Sequence, residues 1–123
     1  DCISEINADI RAGNRDANSL EGAEEFDPEI VYFADAVDEM TKEAIIELDS
    51  QNGTVFETRF STESFPVVTR WILHNADQKV AAFALPGTSR PEGREAARKA
   101  GTLIELAPGE VRNFKVTTGI KEK

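Results

Sequence analysis

The sequence predicts a mainly β protein, an antiparallel β-sandwich with one short helix. From residue 30 onward, short apolar runs rich in β-branched and aromatic residues alternate with turn residues. Only the segment near residues 90–100 has the signals of a helix. With 123 residues the chain has the length of one domain. We expect an irregular N-terminal segment at residues 1–29 and a β-sandwich domain at residues 30–123.

The first predicted strands are joined by a tight turn. Residues 30–33 (IVYF) and 44–48 (AIIEL) have the composition that strands favour. The pair Asn52 and Gly53 supplies the positive-φ positions that a hairpin turn needs. Residues 54–60 are therefore expected to return antiparallel to the preceding strand.

Three further strands are expected at residues 66–74, 79–85 and 111–118, each bounded by turn residues. Alternation of apolar and polar residues within these strands predicts that one face of the sheet is buried. The aromatic side chains expected in the core are Phe56, Trp71, Phe83 and Phe114. A lone Trp in an apolar alternation is typical of a core, and a sugar-stacking platform is the alternative.

One helix is indicated by its end signals. Residues 89–92 (SRPE) have the form of a capping box, in which a serine and a glutamate satisfy two free amides. Glu95 and Lys99 are spaced for an ion pair on one helix face, and Gly101 is placed to end the helix.

The charge of the chain excludes several classes of partner. The net charge is −9, and residues 1–50 hold 15 acidic and 3 basic side chains. Such a chain gains little from counterion release, so we expect no nucleic acid as a partner. Docking through a polybasic patch is not expected either, and no apolar run has the length of a membrane span.

Cysteine and histidine are too scarce for the usual metal sites. Cys2 is the only cysteine and His74 the only histidine, so neither a disulfide within the chain nor a structural zinc is expected. We expect no metal and no other cofactor. The lack of disulfides fits a cytoplasmic protein.

Two groups of residues are candidates for binding a ligand. His74 is the only imidazole available for proton transfer near neutral pH, and Arg70 shares its strand face. The alternative is a histidine that hydrogen-bonds a turn. The loop at residues 86–94 holds Thr88, Arg90 and Arg94, which could bind a hydroxyl-rich or anionic ligand. The alternative is a tight connection without a binding role.

Three stretches together resemble the C-terminal end of aldose 1-epimerase-like proteins, and most closely a branch described as a domain of unknown function. They are residues 71–74 (WILH), 83–97 (FALPGTSRPEGREAA) and 101–110 (GTLIELAPGE). Residues 28–33 (PEIVYF) also resemble an upstream strand of that family. The combination is more specific than the turn "LAPGE" alone, which occurs in many β-sandwich domains.

The resemblance implies a β-supersandwich of about twice this length, of which this chain would be the C-terminal part. It also implies that the family's general base, the glutamate of a Leu-Glu-Pro-like triplet, is replaced here by Leu85. A leucine cannot accept a proton, so no catalytic residue is expected. The resemblance gives His74 no catalytic role.

Three hypotheses for the function follow. The first is a mutarotase-like fragment that binds a carbohydrate or sugar phosphate without the family's base. The second is a stand-alone β-sandwich interaction module. The third is an active aldose 1-epimerase isomerase, completed by the missing N-terminal half. Because a partial sandwich exposes apolar surface and sheet edges, we also expect self-association.

Overall fold

A computed structural model describes residues 8–16, 18–19, 27, 29–50, 52–75, 77 and 83–123. Its elements are α1 (residues 8–11), β1 (Ile30–Ala34), α2 (Val37–Met40), β2 (Glu43–Asp49), β3 (Thr54–Ser61), β4 (Val67–Ile72), β5 (Phe83–Gly87), α3 (Arg94–Ala100) and β6 (Val116–Glu122). Cys2 and the expected strand residues 79–82 lie outside the described residues. Among the described residues, no helix is both long and apolar enough to cross a membrane.

The strands form two small antiparallel sheets, which confirms the mainly β prediction and is consistent with a small β-sandwich. One sheet has the order β1-β4-β5 and the other the order β2-β3-β6. In the second sheet Leu48 lies opposite Phe56, and Phe56 lies opposite Ile120. The helix prediction was incomplete, because the described residues also contain helical residues 8–11 and the single turn α2, which the sequence pattern did not single out.

The β2–β3 hairpin forms as predicted, and Gly53 in its turn has φ 85°. The Asn52 side chain accepts a hydrogen bond from the Thr54 amide at 3.1 Å, and the Ser50 amide donates to the Thr54 carbonyl at 2.9 Å. Glycine tolerates this left-handed conformation because it has no Cβ.

Helix α3 ends as predicted and begins later than predicted. Gly101 has φ 72°, and its amide donates to the carbonyls of Ala97 and Arg98. The helix starts at Arg94 after Gly93, whose φ of 98° is not helical, and no side chain caps it. The expected capping box is therefore absent. Glu95 pairs with Arg98 at 2.8 Å, and not with Lys99 as the spacing suggested.

The chain divides into two compact units. Unit 1 comprises Asp1–Tyr32 and Arg70–Phe83, and unit 2 comprises Phe33–Thr69 and Ala84–Lys123. Within unit 1, the buried side chains include Ile30 and Ile72, which are 0% and 1% exposed.

Unit 2 has its own aromatic cluster. The rings of Phe60 and Phe65 are 5.7 Å apart and edge-to-face, and Phe114 lies 5.2 Å from Phe65. Phe60 and Phe65 are buried, whereas Phe114 is 47% exposed. The prediction that Phe114 is buried was wrong, because this residue precedes β6 and its ring contacts Phe65 and the Arg112 guanidinium without being covered by them.

Two other aromatic predictions also need correction. Phe56 is 46% exposed and not buried, because its sheet face is open at the end that holds Phe56 and Ile120. Trp71 is only half-buried, and its indole N–H donates to the carboxylate of Glu29. The fourth expected core residue, Phe83, has a side chain that lies outside the described part of the structure.

Candidate functional site

A cavity of about 510 Å³ in unit 2 has an apolar lining and a charged rim. Its apolar lining includes Pro66, Val67 and Ala97, which come from the start of β4 and from α3. The charged residues that line it are Asp35, Asp38, Arg90 and Glu92. The rim therefore carries three carboxylates and one guanidinium group.

Backbone conformation and a backbone hydrogen bond position residues 35–37 beside this cavity. Asp35 follows β1, and the next residue, Ala36, has φ 52°, a left-handed conformation that is unusual for a residue with a Cβ. The amide of Val37 then donates to the carbonyl of Pro66 at 3.0 Å. This turn directs the chain from β1 into α2 beside the start of β4.

The dominant contact at the rim is the ion pair between Arg90 and Asp35. The Arg90 Nε donates to both carboxylate oxygens of Asp35, at 2.9 and 3.1 Å, and Nη2 donates to Oδ2 as well. The guanidinium carbon lies 4.9 Å from the ring centre of Phe33, which is a cation–π distance. Arg90 is thus fixed by a carboxylate and by an aromatic face.

The ion pair keeps both partners charged. The hydrogen bond from Arg90 holds the pKa of the Asp35 carboxyl below its usual value, and the same bond raises the pKa of Arg90. An arginine has five N–H donors, so this pair leaves donors on Arg90 for another ligand. The carboxylate likewise has more lone pairs than the pair uses. The rim can therefore offer donors and acceptors side by side.

The candidate residues of the 86–94 loop are separated by the structure. Arg90 lines the cavity described above, whereas Thr88 lines a second cavity of about 530 Å³, with Gly87, Ile104 and Phe114 among its other residues. A Cβ on Gly87 would lie 3.1 Å from the Ser89 carbonyl oxygen, so the turn is tight. Arg94 is the exposed first residue of α3. Helix α3 has only seven residues, so few aligned peptide dipoles contribute to its N-terminus, and we assign no anion site there.

The other two candidates, Arg70 and His74, belong to unit 1. Arg70 lies in β4, and its Nε is buried with no hydrogen-bond partner in the described part of the chain. His74 follows β4 and is half-buried. Leu85, in β5, is 46% exposed and has no group that could accept a proton.

Sequence reasoning missed Asp35 and Tyr32 as functional candidates. Asp35 lies directly after a predicted strand, which is a signal that could have been used. The sequence pattern marks Tyr32 only as part of a strand, but its hydroxyl is buried, and no described residue is its hydrogen-bond partner. Within the described ranges, no group of three or more His, Cys, Asp or Glu side chains is arranged to hold a metal ion.

Comparison with protein families gives one finding. A family model described as a domain of unknown function, DUF4432, matches residues 1–120. This agrees with the domain-of-unknown-function part of the sequence resemblance. Comparison with curated proteins and with solved structures gave no significant match.

Proposed function

Because the chain belongs to the DUF4432 family, whose description assigns no activity, its function must be inferred from its own residues, and we propose that it binds a carbohydrate. The proposal places the ligand in the 510 Å³ cavity of unit 2, beside the ion pair of Arg90 and Asp35. A cavity of this size lies within the range of small-molecule sites, about 300–1,000 Å³.

The observation that carries the proposal is the fixed Arg90–Asp35 pair above an apolar lining. Neighbouring hydroxyls of a sugar are both donors and acceptors, so they match a guanidinium and a carboxylate held together. Pro66, Val67 and Ala97 offer apolar surface to the C–H groups of a sugar ring. The pair is already formed, which lowers the entropic cost of binding.

The charge of the rim favours a neutral sugar over a sugar phosphate. Asp35, Asp38 and Glu92 are all acidic, and the charge of Arg90 is matched by Asp35. A phosphate group would meet more negative than positive charge at this rim. Of the two ligand classes expected from the sequence, the uncharged carbohydrate is the one we assign to this cavity.

We further propose that the chain does not catalyse mutarotation by the route of aldose 1-epimerases. The sequence resemblance to that family supports this proposal, because it implies that Leu85 occupies the position of the general base. A positioned base contributes about 10²–10⁴-fold to such a proton transfer. For a chain without this general base, the function that we propose is binding alone.

The experiment is saturation-transfer NMR with a panel of neutral aldoses and the matching sugar phosphates. We expect transfer to neutral sugars, and a loss of about tenfold or more in affinity for Arg90→Gln and for Asp35→Asn, because each removes a charged hydrogen-bond partner. Glu105→Gln, an exposed change away from the cavity, is the matched control. Equal affinities for all four proteins, or no transfer to any sugar, would contradict the proposal.

A second candidate function, self-association, is favoured by one face of the β2–β3–β6 sheet. We call this the apolar face. It consists of Ala44, Ile46, Leu48, Thr54, Phe56, Thr58, Phe60, Val116, Thr118 and Ile120, with Glu122 opposite Thr54 at one end. Phe56 and Ile120 on it are 46% and 69% exposed. Glu122 is the only charged residue of these strand positions, so over the rest of the face two copies can meet without bringing like charges together, despite the net charge of −9.

The opposite face of the same sheet offers a matched control. There Lys121 and Arg59 form ion pairs with Glu47, Glu57 and Glu43. We expect Phe56→Thr with Ile120→Thr to shift a dimer towards monomer in sedimentation velocity. Ile45→Thr, which removes a 47% exposed side chain from the charged face, should leave the oligomeric state unchanged. A monomer at every concentration would rule out this candidate.

A further inference from the structure

Among the residues that the structure describes, unit 1 contains two buried polar groups without a hydrogen-bond partner. These groups are the hydroxyl of Tyr32 and the Nε of Arg70, and both atoms are fully buried. Tyr32 lies in β1 and Arg70 in β4, which are neighbouring strands of one sheet. Buried polar groups in proteins are nearly always paired, so two unpaired groups on adjacent strands indicate a ligand.

Among the described residues, the charges that act on the Tyr32 hydroxyl are positive. The charges of Arg15 and Arg70 both act to lower the pKa of Tyr32, although burial of the hydroxyl raises it overall. A negatively charged ligand would be attracted by these two guanidinium groups, whereas a water molecule would not carry a matching charge.

The unpaired atoms also define which chemistry fits. The Nε of arginine is a donor only, and a neutral tyrosine hydroxyl can donate as well. An arginine that uses its Nε and one Nη presents two parallel donors, which match two oxygens of a carboxylate or phosphate. Both Arg70 and Tyr32 can therefore donate hydrogen bonds to an oxyanion.

We propose that Tyr32 and Arg70 form a binding site for an oxyanion, the phosphate or carboxylate group of a small ligand. Arg15 adds positive charge to this site. The site belongs to unit 1 and does not depend on the carbohydrate cavity in unit 2, so either proposal can fail without the other.

The aromatic content of the chain makes the test specific. Tyr32 is the only tyrosine, so the tyrosinate absorbance near 295 nm reports on this residue alone. Trp71 is the only tryptophan and follows Arg70 in β4, so its fluorescence reports on the same strand. The full chain is titrated with inorganic phosphate, with acetate, and with chloride at matched ionic strength.

We expect phosphate or acetate, but not chloride, to raise the pKa of Tyr32 and to change Trp71 fluorescence with saturation. Phosphate alone would assign a phosphate ligand, and acetate alone a carboxylate. Arg70→Lys keeps the charge but loses the paired donors, and should weaken binding about tenfold or more. Tyr32→Phe removes one oxygen only and should weaken binding about threefold to tenfold, as read by fluorescence.

Arg98→Gln is the control, because this exposed residue of α3 carries the same charge outside unit 1. It should bind phosphate or acetate as the wild type does. The proposal is overturned if neither anion binds, if chloride has the same effect, or if Arg70→Lys binds as tightly as the wild type.

Discussion

Arg90 in unit 2 and Arg70 in unit 1 carry the same guanidinium group, but they differ in exposure and in pairing with a carboxylate. Arg90 is partly exposed, with 42% of its side chain accessible, and is paired with Asp35. Arg70 has a fully buried Nε without a hydrogen-bond partner among the residues that the structure describes. An arginine already neutralised by a carboxylate suits a neutral, hydroxylated ligand, whereas an unmatched arginine suits an anion. The comparison assigns different ligand chemistries to the two regions.

We propose binding for both regions and proton transfer for neither, and the largest expected effect tests this proposal. The wild-type chain should not accelerate the anomer exchange of glucose or galactose in polarimetry, because Leu85 cannot act as a base. If the remainder of the site is intact, Leu85→Glu should introduce acceleration of up to about 10²–10⁴-fold. Leu85→Gln is the control, since an amide has the same size but does not take the proton. Acceleration by the wild type that disappears in His74→Ala would show that His74 is catalytic instead.

The second prediction compares a paired and an unpaired buried hydroxyl. Thr62 in unit 2 is 0% exposed, and its Oγ1 donates to the Thr41 carbonyl. Thr62→Val should lower the free energy of unfolding by about 1–3 kcal/mol, because the carbonyl loses its partner. Tyr32→Phe should change it by less than about 0.5 kcal/mol or raise it, because an unsatisfied group is removed.

Both values come from urea denaturation in a buffer without phosphate or carboxylates. A loss of more than about 1 kcal/mol for Tyr32→Phe would mean that its hydroxyl is paired in solution, and the contrast between the two units would not hold.

The third and smallest effect concerns the pH dependence of the ion pair between Arg90 and Asp35. The folded-state pKa of Asp35 lies below its usual value because Arg90 donates hydrogen bonds to it. The pair therefore stabilises the fold above the usual aspartate pKa, and this contribution is lost as the pH falls through the depressed value. In Arg90→Gln the pKa of Asp35 should rise towards the usual value. Carboxyl-carbon NMR titration measures it, with Arg98→Gln as the control; an unchanged Asp35 pKa in Arg90→Gln would show that the pair does not persist in solution.

The local elements could be predicted from sequence because their signals lie within a few residues. The β2–β3 hairpin requires a glycine at φ 85°, and Gly53 is the residue that tolerates it. Gly101 ends α3 for the same reason, and the strand expected at 66–74 forms as β4. The start of α3 was misplaced because Gly93, which is not helical, lies after the apparent capping box.

The candidate sites could be predicted only in part, because their partners are distant along the chain. The sequence identified Arg90 and Arg70 as candidates by residue type. It did not identify Asp35, which is 55 residues from Arg90, nor Tyr32, which a neighbouring strand brings beside Arg70. Phe56 was expected to be buried because its strand alternates, but alternation does not show whether another layer covers that face.

By itself the sequence determined the mainly β class, the hairpin, the C-terminal end of α3 and the family to which the chain belongs. These depend on short-range backbone preferences and on local residue patterns. Only the tertiary structure decided that Arg90 is neutralised, that Arg70 and Tyr32 are buried without partners, and that Phe56 remains exposed. The physical reason is that charge pairing and burial depend on which strands become neighbours, and that is a property of the whole fold.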